Sequence, residues 1–331
     1  DSESIRKSNA TYPRRRGFTR CKGNEYIIHN KETSHYKPQS INIRLAMRSD
    51  LLTLFVNHMR QKINIRYFIP LYIGFLLVFS SFSLHEYTRL WKGVLIVALY
   101  VLFDLLWTYV RDRVWYIPLS SVISGLVLSV VAIPSPAYWL VVLLPLLAVI
   151  SKQMLTFGKI RHVFNPASFA MGACAFFIPS ISWWGVAWGP IPLYIALIAG
   201  IFILWNLRRF HITVPFFLSY AFFLSLLFFK NGVPLENILS ILRPQILDGT
   251  VIFFSTVMLV EPVTSSFSTQ NQRIIYGALV GFFAVLATYL GGIVQLDDPL
   301  IYGLLAGNLL ASLIFLSSKP AMGASSIATS A

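Results

Sequence analysis

The feature that most constrains this chain is a succession of ten apolar stretches between residues 66 and 317, each bounded by charged or turn-forming residues. They run over 66–84, 90–110, 114–133, 136–155, 164–180, 189–207, 211–230, 246–261, 272–292 and 297–317. A bilayer crossing needs about 20 apolar residues, with about 17 the lower end. Most of the stretches reach that length; the fifth is near the limit and the eighth is short. Only 12% of the 331 residues are charged and the mean hydropathy is +0.66. A soluble surface cannot be made from so few charges. The expectation is an all-α polytopic membrane protein of about ten transmembrane helices, embedded in lipid.

The net charge of +14 does not argue for nucleic acid, because 14 of the 27 Lys and Arg lie in the first 66 residues. Residues 1–44, with Arg14-Arg15-Arg16 and no apolar periodicity, read as a basic disordered tail that favours anionic lipid. No apolar core with a small-residue cleavage site follows it, so no signal peptide is expected. Over 45–65, Met47, Leu51, Leu54, Phe55 and Met59 alternate with Arg44, Arg48, Arg60 and Lys62, the pattern of an interfacial amphipathic helix. Residues 66–317 form the membrane domain and 318–331 a short tail.

Loop charges give an orientation. With the N-terminal tail inside, the inner loops carry Arg111, Arg113, Lys152, Lys159, Arg161, Arg208, Arg209, Arg273 and Lys319. The outer loops carry only Arg89, Lys92, Lys230 and Arg243, so both termini are expected in the cytoplasm of a cell membrane. Ten helices also allow two inverted five-helix repeats. Helix three, opening at Ser121 and closing at Pro134-Ser-Pro136, corresponds to helix eight, opening at Asp248-Gly249 and closing at Glu261-Pro262. Paired short helices of this kind point to a central site.

Ionisable groups within apolar stretches are expensive and mark candidate sites. Asp104 sits in Val101-Leu-Phe-Asp-Leu-Leu-Trp, either as a proton or cation ligand or as a carboxylate capped by a helix end or paired to arginine. Glu261, before Pro262, Thr264 and Ser265, offers oxygen ligands to a hard cation, or simply ends a helix. The segment Gly158-Lys-Ile-Arg-His-Val-Phe-Asn165-Pro166 places a cap and a proline at a helix start amid positive charge. That suits a phosphate or flavin, or a plain capped helix in an inner loop. Small residues from Ala167 to Ala175, and the pairs Gly277/Gly281 and Gly303/Gly307, signal close helix packing. Among motifs, there is no Walker A, GxGxxG, paired-cysteine or nucleophile-elbow pattern.

At these residues the chain resembles the D subunit of the Rnf electron-transport complex and the related B subunit of the sodium-translocating NADH:quinone oxidoreductase. The resemblance rests on Asp104 before a basic loop, Gly125 to Pro136 followed by Trp139, and Lys152 to Ala167 ending in Phe164-Asn165-Pro166-Ala167. It continues through Glu261-Pro-Val-Thr264-Ser265, Arg273 to Gly277, Gly291-Gly292 and Asn308-Leu-Leu-Ala311. It implies one component of an electron-transfer complex that drives Na⁺ or H⁺ translocation, working with other membrane subunits, a flavoprotein or ferredoxin-type reductase and quinone. It implies FMN or riboflavin, with Gly158, Asn165, Pro166, Trp183 and Trp184 as candidate cofactor contacts. Asp104, Glu261, Thr264, Ser265 and Asn308 are its candidate ion or proton pathway. In the family, FMN is esterified to a threonine in the outer loop after helix five; here that loop, Pro179 to Pro190, has no threonine. A non-redox transporter or channel on the same scaffold is the alternative.

Overall fold

A computed structural model describes residues 64–132, 138–157, 161–178, 181–293 and 296–316. The basic tail, the amphipathic 45–65 segment up to Ile63, Pro134-Ser-Pro136, Gly158, Lys159 and residues 317–331 lie outside them. The described residues are almost entirely helical. We label the helices α1 (Ile65–Ser83), α2 (Tyr87–Asp112), α3 (Leu119–Val131), α4 (Tyr138–Met154) and α5 (Pro166–Ala175). After them come α6 (Pro190–Leu207), α7 (Phe210–Lys230), α8 (Leu235–Ile246), α9 (Gly249–Phe253), α10 (Gln270–Gly291) and α11 (Pro299–Leu316). A π-helical turn, Phe254–Met258, continues α9, and a two-residue ribbon pairs Thr156–Phe157 with Arg161–His162.

The starts follow local chemistry. Asn64, Asn165 and Asp248 each accept a backbone N–H of the first turn, and Thr269 with Gln272 forms a reciprocal capping box. Pro166 follows Asn165 at a position whose N–H would have no helical partner.

Helices occupy each of the ten predicted stretches, but several are shorter than the apolar runs. Five are long and apolar enough to cross a bilayer: α1, α2, α6, α7 and α10. A sixth crossing arises if α8 and α9 with its π turn, bent by 59°, count as one broken span. α3, α4 and α11 are apolar but shorter, and α5 has 10 residues. The sequence expectation misses α8 altogether. Its Leu235, Ile238, Leu239, Leu242 and Ile246 make one apolar stripe, but Glu236, Asn237, Ser240, Arg243 and Gln245 depress the average of any long window.

In the first half of the bundle α3 packs on α1 and α2, α2 on α4, and α4 on α5. In the second half α9 packs on α6, the π turn on α6 and α7, α7 on α10, and α10 on α11. Contacts of α1 with α6 and of α5 with α11 join the halves.

The small-residue positions carry the tightest approaches. A methyl group at Gly277 would overlap the Ile212 carbonyl oxygen of α7, and one at Gly281 would lie 2.7 Å from the Phe216 oxygen. At Gly303 it would lie 2.6 Å from backbone atoms of Ala284, and at Gly172 it would lie 2.6 Å from the Leu305 side chain. With lipid on the outside, helices gain little from apolar burial and associate through this close packing. Gly277→Ala should therefore lower stability by about 1–3 kcal/mol, as forced overpacking does elsewhere. Gly74→Ala, where the added methyl meets nothing within 4 Å, should be neutral. Thermal unfolding of the two variants in one detergent checks the contrast.

Candidate functional site

The helix ends of α2 and α4, the starts of α3 and α5, and the loop after the π turn surround a polar cavity of about 670 Å³. Arg111, Asp112, Ser120, Ser124, Lys152, Gln153, Thr156, His162, Pro166, Glu261 and Val263 line it. An apolar cavity of about 330 Å³, between α1, α3, α6 and the π turn, shares Ser120, Ser124, Glu261 and Val263 with it. Both volumes fall in or near the range of small-molecule sites, about 300–1,000 Å³.

Asp104 lies behind the polar wall, fully buried. Its Oδ2 accepts from Ser121 at 2.6 Å, from Lys152 Nζ at 2.9 Å and from the Tyr116 hydroxyl, and its Oδ1 accepts from Gln153 at 2.6 Å. The partner is a lysine, not the arginine or helix end considered from sequence. Lys152 also donates to Ser120 and Ser121, both at 2.8 Å. Burial first, and then the bond to Asp104, raise the Tyr116 phenol well above its ordinary range, so it stays a donor. One carboxylate thus gathers α2, the α2–α3 loop, α3 and α4 around itself.

Glu261 has a different setting, on the walls of both cavities. His162 Nε2 stands 3.5 Å from its Oε1 and the Thr264 hydroxyl donates to its Oε2 at 3.2 Å. Ser265 donates to the Glu261 carbonyl at 2.6 Å. The loop is pinned from outside: Arg209 reaches the Ser265 carbonyl at 2.6 Å and Arg273 the Phe267 carbonyl at 2.9 Å.

The π turn supplies carbonyls that ordinary helix bonding leaves free, and polar side chains collect there. Thr213 donates to the Ser255 carbonyl at 3.1 Å and Asn165 to that of Met258 at 3.3 Å. The buried Tyr276 hydroxyl donates to Asn308 Oδ1 at 2.7 Å, while Asn308 Nδ2 has no hydrogen-bond partner among the described residues. Asn308 is therefore next to the end of the π turn through Tyr276, which also reaches the Leu259 carbonyl at 3.5 Å.

The candidate cofactor contacts do not gather in one place. Pro166 lines the polar cavity, whereas the Asn165 side chain is engaged by Ser168 N–H and Met258. Trp183 and Trp184 line neither cavity. Trp183 donates to Asp298 and meets Phe253 and Phe254 edge-on. Trp184 donates to the Ser129 carbonyl at 2.9 Å and carries the Arg89 guanidinium over its ring. With Trp188 on Ser80, these indoles clamp the loop before α6 onto α1, α3 and the start of α11. Burial raises the Asp298 carboxyl above its ordinary range, against the pull of the Trp183 bond.

No family model matches the chain. In sequence it is similar to proteins from Salmonella enteritidis PT4 and Salmonella gallinarum that are named as the D subunit of an ion-translocating oxidoreductase complex. Each is 30% identical over 139 residues, which is 41% of this chain and 36% of the relative. The likeness to that family is distant. The matched stretch spans little more than a third of the length of those relatives.

Sequence reasoning takes His162 as part of the positive segment suited to a phosphate or flavin and Lys152 as an inner-loop charge at the start of the family-like stretch, and it does not single out Tyr116, Ser120 or Gln153 as site residues. Lys152→Met should strand the buried Asp104 charge and cost about 3–5 kcal/mol, the range for breaking a buried ion pair from one side. Pairing it with Asp104→Asn should restore much of the loss. Denaturant titration of the single and double variants measures both.

Proposed function

We propose that the chain is a membrane component of a flavin-dependent electron-transport complex that couples electron transfer to Na⁺ or H⁺ translocation. The observation that carries this reading is the match to an ion-translocating oxidoreductase component, taken with two acidic side chains, Asp104 and Glu261, at one end of the bundle. On this reading the helices at all ten stretches cross the membrane, singly or as broken segments, as two inverted five-helix repeats. The pairing of α3 with α1, α2 with α4 and α4 with α5, repeated as α9 with α6, α7 with α10 and α10 with α11, supports the repeat. Both termini then lie in the cytoplasm, and the polar cavity opens on that side.

Glu261, Thr264 and Ser265 form the ion or proton step, because they combine a carboxylate with neutral oxygens at a cavity wall. Asp104 sets the position of Lys152, and Asn308 offers a buried amide beside the π turn. The polar cavity is the flavin site on this reading. Its donors fit the polar parts of FMN or riboflavin: Arg111 and Lys152 a phosphate or ring oxygen, and Ser120, Ser124 and Thr156 the ribityl hydroxyls. When bound, the flavin would take up and release one or two electrons. The chain's own residues would hold it by hydrogen bonds alone, with other membrane subunits and quinone or a ferredoxin-type reductase completing the path.

Glu261→Gln should leave assembly intact and weaken the Na⁺- or pH-dependence of turnover in the reconstituted complex. Because the Pro179–Pro190 loop has no threonine, flavin should leave with acid or detergent denaturation. A purified complex without flavin absorbance would overturn the redox reading in favour of a transporter, and unaltered ion dependence in Glu261→Gln would remove the ion step. Reporter fusions after Asn231 and Asp298 should both read as external; a cytoplasmic signal at either breaks the ten-span topology.

A further inference from the structure

A third cavity lies away from the site, in the groove where α7 packs on α10. It measures about 210 Å³ and is lined by apolar side chains, among them Phe223, Leu227, Phe282 and Leu286. Lys230 and Tyr289 close one end. Lys230 Nζ donates to the Tyr289 hydroxyl at 3.1 Å and stands 4.2 Å from the centre of its ring. Among the described residues no carboxylate forms an ion pair with Lys230.

We propose that this groove is a binding site for an anionic phospholipid, with one acyl chain along the α7–α10 seam and the phosphate on Lys230. Three observations lead there. α7 and α10 are both long and apolar enough to cross the bilayer, and the groove between them is outward-facing, with Leu226 and Tyr289 exposed beside it. The lysine is the last residue of α7, so its charge stands at headgroup depth while its stem reaches across to Tyr289 of α10. The next helix, α8, supports that depth: Leu235 and Leu239 are exposed while Ile238 and Leu242 are buried, and the exposed Glu236, Ser240 and Arg243 run together along one flank of this apolar stripe. Such a helix suits the plane of the interface.

The tyrosine adds direction. A ring and hydroxyl beside the ammonium hold Nζ over the mouth of the groove, where it meets a phosphate oxygen without crossing the apolar floor. A zwitterionic headgroup also brings a phosphate, but its own cation offsets that charge; an anionic headgroup keeps its net negative charge for the basic partner.

The test uses the full chain purified in mild detergent and exposed to equal amounts of phosphatidylglycerol and phosphatidylcholine with identical acyl chains. Retained lipid is read by native mass spectrometry. The wild type should favour phosphatidylglycerol by about fivefold, the size expected from one basic residue near an anionic headgroup. Lys230→Gln should bring that ratio close to one. Arg89→Gln, a control at a basic residue that pairs with Glu86 at 3.2 Å, should keep it. Leu286→Trp, which fills the groove, should lower retention of both lipids, so the apolar part is tested apart from the charge. Each variant is compared only at the elution volume and melting temperature of the folded wild type. An unselective wild type, an unchanged ratio in Lys230→Gln, or full lipid retention in Leu286→Trp overturns the proposal. If Leu286→Trp instead loses a co-purifying membrane protein while keeping its lipid, the groove holds a partner helix and the lipid assignment is wrong.

Discussion

Every backbone N–H and C=O in hydrocarbon must find a partner inside the protein, and this requirement dictates where the chain may break its helices. An uninterrupted helix meets it alone, which is why α2 and α10 need no outside help along their length. The short elements cannot. The start of α5 exposes N–H groups and the π turn exposes carbonyls, and Asn165 serves both, accepting from Ser168 and donating to Met258. Thr213 and Tyr276 complete the set on Ser255 and Leu259. The α5 cap thus holds the two broken elements against each other, while Thr213 of α7 and Tyr276 of α10 anchor the π turn and its end. They sit where the lining residues Pro166, Val263 and Glu261 come together at the polar cavity. Irregular backbone and cavity occur in one place because only buried or water-lined positions tolerate the irregularity.

Local signals are the legible part of the sequence. Asn165-Pro166 and Asp248-Gly249 announce helix starts through chemistry confined to a few residues, and the structure has helices there. Glycine pairs at four-residue spacing mark one face of a helix, and Gly277 with Gly281 does meet α7. What is not legible depends on distance. Lys152 is 48 residues from Asp104, and no periodicity or motif links an acid on one helix to a lysine at the end of another. The indoles of Trp183 and Trp184 look the same in sequence whether they stack on a ligand or donate to Asp298 and Ser129; only the partner decides. Length misleads too. Apolar runs of near-spanning size include the residues flanking α3 and α4, so the runs exceed the helices they contain.

Three acids show how placement divides their tasks. Asp104 accepts four hydrogen bonds, one of them from a lysine, and has no exposed surface. Asp298 is engaged by the Trp183 indole and the Ile301 N–H at the start of α11. In both, the lone pairs are committed to holding elements together, and exchanging one partner for a cation would release a buried donor. A released donor costs about 1–3 kcal/mol when water cannot reach it.

Glu261 is not bound by that cost. Its side chain keeps 19% of its surface open, the His162 Nε2 stands 3.5 Å away, and among the described residues its one side-chain hydroxyl contact is with Thr264, three residues on. A cation arriving at Oε1 displaces a long contact rather than a close one. The Thr264 oxygen travels with the glutamate because both belong to one short loop, and that loop is fixed through its carbonyls by Arg209 and Arg273, leaving the carboxylate itself uncommitted. Positive charge nearby also limits what the site can gain: Lys152 and Arg111 line the same cavity. Both cations are themselves paired, Lys152 with Asp104 at 2.9 Å and Arg111 with Asp112 at 2.7 Å, so carboxylates already offset much of their charge.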